Sequence, residues 1–243
     1  MSRIVLKSDH SLNYFPNNKP NDFTVNIPIK LSRIGHDLKV ALVEIIFPLG
    51  FNNVRDGWNS IEISNASNRK NPWIYSIDPN FYTPTSLIDE INKKTKAQDL
   101  ITLELDENFC VISKVKGVHI KLGTDITTIL GFKSNEWLTG AEDSTPDRTG
   151  AYKNMSLLNV YCNIVEETLI GEDQHQLLRI VNWNYANKNV SSPSIFYTYP
   201  YYIPVKHTNV SRINFKITDS LDIPVEFTGD EPLVIILEFQ KVE

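Results

Sequence analysis

LKVALVEIIFP, from Leu38 to Pro48, is apolar on both faces: Val40, Ala41, Leu42, Val43, Ile45, Ile46 and Phe47 are interrupted only by Glu44. A strand covered on both sides reads as a continuous apolar run, whereas a half-exposed strand alternates. The run is rich in β-branched residues, contains no Gly and closes at Pro48, which favours strand over helix. The segment before it, DFTVNIPIKL, does alternate. Phe23, Val25, Ile27, Ile29 and Leu31 fall on one face, and Thr24, Asn26 and Lys30 on the other, the pattern of a strand with one face in a core. An alternating strand, a turn at Gly35-His36-Asp37 and then a doubly covered strand predict the start of an antiparallel sandwich.

Working outward, Arg3 to Leu6 forms a short apolar strand, and SDHSLNYFPNNKPND after it is polar and turn-rich. FNNVRDGW after Pro48 reads as a turn and WNSIEIS as another strand. From Trp73 helices enter. FYTPTSLIDEINKK predicts a helix with Thr83 as cap, Pro84 at its first position and Leu87, Ile88 and Ile91 on one face. WIYSI, LITLELD, CVISKV and VHIKL are strands, the middle two turning at Glu107-Asn108. TDITTILGF predicts a short helix capped by Thr124 and stopped by Gly131. Residues 73–134 therefore form a small α+β insertion with one longer and one short helix. Ser134 to Asn154, poor in apolar residues, is an exposed loop. SLLNVYCNIVEE, HQLLRIVNW, YYIPVK, SRINFKITD, DIPVEFTG and PLVIILEFQ resume the strands, with the Tyr-rich NKNVSSPSIFYTYPYYIP as a second long loop. The strand count predicts a mainly β protein: a single jelly-roll β-sandwich over residues 1–72 and 135–243. Helices do not alternate with strands, which argues against an open parallel sheet.

The 243 residues suffice for a real core, and 41% apolar with 22% charged residues describes an ordinary globular chain. A net charge of -5 with no Lys/Arg block argues against nucleic acid or an anionic membrane as direct partner. No run approaches the roughly 18 apolar residues of a membrane span, and MSRIVLKSDH lacks a signal peptide's apolar centre. Cys110 and Cys162 lie in apolar strands without CxxC spacing and read as buried reduced thiols, a disulfide between them remaining open. His10, His36, His119, His175 and His207 are scattered, with no pair at metal-ligand spacing. Glu166 and Glu167 are neighbours on a strand and point to opposite faces. Glu44 calls for an Arg partner such as Arg179 or Arg212, or for an interface. No catalytic, cofactor-binding or metal site emerges, and the reading is a protein without enzymatic activity. The candidate interface is the aromatic loop: Phe196, Tyr197, Tyr199, Tyr201 and Tyr202. Tyr offers large contact area at low entropic cost.

Several blocks, in order along nearly the whole chain, carry a resemblance: SDHSLNYFPNNKPNDFTVNIP, VALVEIIFP, FYTPTSLIDEINKK, ILGF, LLNVYCNIVEETLIGEDQHQLLRIV, and YIPVK followed by RINFKITDSLDIPVEFTGDEPLVIILEF. Together they resemble the minor capsid (penton-type) protein of Polinton/Maverick elements and their virophage and adintovirus-like relatives. A Gly near Leu221-Asp222 in that family's pattern is missing here. The resemblance implies a structural protein of the virion, a homopentamer at the fivefold vertices of an icosahedral capsid. Its partners would be copies of itself and a double jelly-roll major capsid protein, with a host receptor as a further candidate. It would be made and assembled inside the host cell, in cytoplasm or nucleus. The alternative expectation is a host-attachment or glycan-binding sandwich module without catalysis.

Overall fold

The computed structural model describes residues 2–27, 38–48, 50–65, 71–96, 100–106, 109–133, 136–139, 157–183, 193–206, 210–220 and 222–241. They fall into two compact units, Met1–Phe51 with Ser156–Glu243, and Asn52–Met155.

The first unit holds β1 (Ser2–Lys7), β2 (Asp22–Asn26), β3 (Leu38–Ile46) and most of β4 (Gly50–Asn52). The second holds β5 (Ser60–Asn65), β6 (Trp73–Ser76), α1 (Pro84–Thr95), β7 (Ile101–Asp106), β8 (Phe109–Lys114), β9 (Val118–Leu122), α2 (Thr124–Leu130) and β10 (Trp137–Leu138). The first resumes with β11 (Leu157–Cys162), β12 (Thr168–Ile170), β13 (Asp173–His175), β14 (Leu177–Asn182), β15 (Ser194–Phe196), β16 (Ile203–Pro204), β17 (Arg212–Asp219), β18 (Glu226–Thr228) and β19 (Val234–Lys241).

Two antiparallel sheets make the first unit, one ordered β1-β19-β3-β15 and the other β14-β11-β17-β2. β15 lies along one end of β3, and β16 along the other end, opposite Lys39 and Val40. Those two short pieces act as one interrupted strand. Eight strands then switch sheets at each step except between β11 and β14, which pair within one sheet, and the first strand pairs with the last and the second with the last but one. That order is a jelly roll, as the strand count predicts.

The inner faces are apolar. Phe23 and Phe215 stand opposite each other in register and stack at 5.1 Å. Phe47, just past β3, meets Trp183, just past β14, edge-on at 4.3 Å and joins the two sheets. Truncating a buried aromatic of this kind costs about 3–5 kcal/mol. Leu158, Val160 and Cys162 alternate inward along β11, and Ile213, Phe215 and Ile217 along β17. The alternation read in DFTVNIPIKL holds for Phe23 and Val25, while Ile29, Leu31 and the turn at Gly35-His36-Asp37 lie outside the described residues.

The second unit is longer than the expected 73–134. β5, expected as a sandwich strand, pairs with β9 and β6 in a sheet ordered β10-β9-β5-β6. Its alternating Ile61 and Ile63 say that one face is buried, not against which neighbour. Leu87, Ile88 and Ile91 of α1 and Ile126, Ile129 and Leu130 of α2 close the core over Ile61, Ile63, Ile120 and Leu122. Thr83 caps α1 as expected, its hydroxyl taking the Ser86 N–H while the Ser86 hydroxyl takes that of Thr83. α2 begins one residue earlier than read: Gly123 is the cap and Thr124 is already helical. A Cβ on Gly123 would lie 2.9 Å from Ser60 N and closer still to Trp58 O, so only glycine fits. The Asn92 side chain bonds both Leu103 N and Leu103 O, tying α1 to β7 like a short strand edge.

Both expected loops contain strand where they are described. Trp137 and Leu138 pair with Lys121 and Ile120, and the Tyr-rich segment supplies β15, while β16 falls in YYIPVK, expected as a strand. Two or three paired residues are too short for a period-2 signal to show.

Candidate protein interface

β3 and β19 are apolar on both faces, yet only one face of their sheet lies inside the sandwich. The inner rows contain Leu6, Ile235 and Ile45, then Leu237 and Leu42, then Phe239 and Val40, all buried. The register shifts between Ile236 and Leu237, a bulge that takes up Val43. On the outer face one row runs Val5, Ile236, Glu44, Phe196 across four strands. Val5 is 50% exposed and Phe196 57%, with Ile236 and Glu44 half-buried between them. The next row is Lys7, Val234, Ile46, Ser194. The outer face is thus a largely apolar band with one carboxylate at its centre.

At the other end of the same face Ala41 pairs with Glu238, and Glu238 with Arg3. Glu238 is buried and accepts from Arg3 Nε at 2.6 Å and from the Tyr202 hydroxyl. Tyr202 precedes β16 and so reaches Glu238 across the small Ala41. The Tyr202 hydroxyl first, and Arg3 second, hold the Glu238 carboxyl below its usual range, and the same carboxylate raises the Tyr202 phenol. This end of the face is closed by its own polar network, and the end around Glu44 is open.

The five aromatic residues singled out in the sequence therefore divide. Tyr202 is spent on Glu238. Tyr197 hydrogen-bonds Val43 O through its N–H, and its ring lies 3.8 Å from the Arg179 guanidinium carbon. Phe196, Tyr199 and Tyr201 face solvent, Tyr199 89% exposed and Tyr201 68%. The expected Arg partners of Glu44 are engaged elsewhere: Arg179 on Tyr197, and Arg212 at 5.6 Å from the Phe15 ring. Among the described residues Glu44 has no ion-pair partner.

The opposite, outer face of the sandwich belongs to β14, β11, β17 and β2. Leu157 and Ile180 are exposed there, and Tyr161 stands between Leu177 and Lys216 in one row. The Tyr161 hydroxyl donates to Asp222 Oδ1 at 2.7 Å, and burial first, then Asp222, pushes the phenol up to about 12. Lys216 is exposed and has no ion-pair partner among the described residues.

Other sequence-singled groups have structural roles. Glu167 holds Lys206 at 2.7 Å, and Glu166 donates its N–H to Pro204 O. His175 tilts against Tyr161. Cys110 and Cys162 are free and buried, and burial pushes each thiol up to about 12. In the second unit Arg55 grips Asp125 through Nε, its backbone N–H and a terminal nitrogen, with Trp58 against the guanidinium. Among the described residues no three His, Cys, Asp or Glu converge as a metal site, and no helix is long and apolar enough to cross a membrane.

Sequence reading located the aromatic segment and questioned Glu44, but it missed Val5, Ile236 and the Tyr202–Glu238–Arg3 chain. The available signal was PLVIILEFQ, where Val234 and Ile236 are apolar beside the inward Ile235 and Leu237. No protein-family profile matches this chain, and no curated protein does. Among solved structures the chain is similar to the mavirus penton protein, known from a crystal structure. The identity is 13%, the TM-score 0.49, and 99% of this chain and 98% of that one are covered.

Proposed function

We propose that this chain is a structural capsid protein of penton type, forming homopentamers at the fivefold vertices of an icosahedral shell. There it would dock against a double jelly-roll major capsid protein, inside the host cell where the virion is built. The observation that carries the reading is the outer face of the β1-β19-β3 sheet. Its residues are patterned for burial on both sides, and the isolated chain leaves Val5 and Phe196 half open to water. Such a face calls for another protein. The ordered sequence blocks that resemble the penton-type family support the same assignment. The exposed Phe196, Tyr199 and Tyr201 extend the contact surface along the sandwich edge.

The test is the solution mass of the purified chain by light scattering after size exclusion, with negative-stain images of the main peak. The expected species is a fivefold ring near five times the 27.8 kDa chain. A trimer counts directly against the vertex role. The exposed Tyr199 and Tyr201 favour a second reading, an attachment module for a host glycan, and a glycan array without binding disposes of it.

A further inference from the structure

We infer that the open end of the β1-β19-β3-β15 face joins one copy of this chain to the next, and that it meets the opposite outer face of the neighbour, pairing Glu44 with Lys216. This rests on the self-assembly reading above and names the surfaces that carry it.

Contacts around a fivefold ring are heterologous, one surface of each copy meeting a different surface of the next. On the open patch the only cation among the described residues, Lys7, stands one row and two strands from Glu44, so the carboxylate has no cation within its own row. A heterologous contact gives the carboxylate a cation instead. The other outer face offers one, Lys216, exposed next to Tyr161 and without an ion pair among the described residues, on a face that also exposes the apolar Leu157 and Ile180.

Size points the same way. The open half of four strands about 4.8 Å apart and roughly eight residues long, at about 3.3 Å per residue, presents on the order of 250 Å². Counted on both partners that is about 500 Å², and two such contacts per copy reach the lower bound of about 1,000 Å² for a specific interface. A copy in a closed ring makes two such contacts, one with each face. Heterologous contacts that close form rings, and those that do not close form filaments.

The experiment uses the full chain with Glu44→Cys and Lys216→Cys together, each alone, and the charge reversals Glu44→Lys, Lys216→Glu and their combination. The native thiols are buried with their pKa pushed up to about 12, so they give little background under mild oxidation. The double cysteine variant is expected to give a disulfide-linked ladder on non-reducing gels, and either single variant none. Each charge reversal is expected to weaken self-association at least tenfold, and the combination to recover most of it. Fivefold rings in the parent chain without the cross-link overturn this inference and leave the capsid reading standing. Cross-linking by Glu44→Cys alone shows a two-fold contact and overturns it too. A ladder that runs past five chains, with filaments, supports these surfaces and overturns the pentamer. A parent chain that stays monomeric at high concentration and gives no cross-link overturns both.

Discussion

Asp222 stands in the turn after β17 with φ 59, in the left-handed region that favours glycine. Asp222 thus takes up a glycine-like backbone itself. Its side chain offsets the strain by accepting from the Tyr161 hydroxyl at 2.7 Å and facing the Thr218 hydroxyl at 3.4 Å. Asp222→Ala keeps the strained backbone and removes the acceptor, and should cost about 1.5–3 kcal/mol. Asp222→Gly loses the same acceptor but relieves the backbone, and should cost about 1 kcal/mol less than Ala. Urea unfolding of the two variants checks the order, and an equal loss in both would show that the turn carries no strain. The residue type at 222 was plain in the sequence. Its φ was not, because Asp is compatible with several turn types.

α2 is seven residues long and could not stand alone. It is held by Asp125 in its first turn, gripped by Arg55, and by Gly123 pressed against Trp58 and Ser60. Both charged groups are buried, so removing one partner leaves the other uncompensated. Arg55→Met should therefore cost about 3–5 kcal/mol, whereas Arg55→Met with Asp125→Leu should recover much of it. Melting followed by tryptophan fluorescence reads this, since Trp58 lies against the guanidinium at 5.5 Å. A double variant no better than the single would show that the pair supplies specific positioning rather than charge balance. Both helices were legible at this scale: the apolar spacing and the Gly131 stop were in the sequence, and Gly131 is left-handed at φ 86 as a stop requires. The allegiance of β5 was not. An alternating strand declares its buried face, and which partner strand it pairs with is settled only by non-local packing.

Over the whole molecule, alkali should act on both units. Tyr161 and Cys162 in the sandwich and Cys110 in the second unit are all pushed up to about 12, chiefly by burial. The folded chain thus holds protons that the unfolded chain releases near the ordinary values of 9.0 for the thiols and 10.0 for the phenol. Their contribution is complete below about pH 9 and is lost as pH rises towards about 12. Unfolding by urea should show stability level from pH 7 to 9 and falling from there upward. Tyr161→Phe should lose less of its stability between pH 10 and 12 than the parent does. A parent curve flat to pH 11 would show that these groups are wetter than their packing implies.

From the order of its residues alone, this chain is mainly β, with a helical insertion and strands that alternate or run apolar according to how many of their faces are covered. Those are local periodicities, and they survive without knowledge of what each strand touches. The jelly-roll order, β5's place in the second unit and the division of the aromatic segment into tethered and free rings were decided by the tertiary structure. The same holds for Glu44, whose sequence neighbours are those of a buried strand. Only the register that sets Val5, Ile236 and Phe196 in its row shows a covered-looking strand with one side still open. Pairing across distant segments determines which side chains share a face, and no window of sequence contains it.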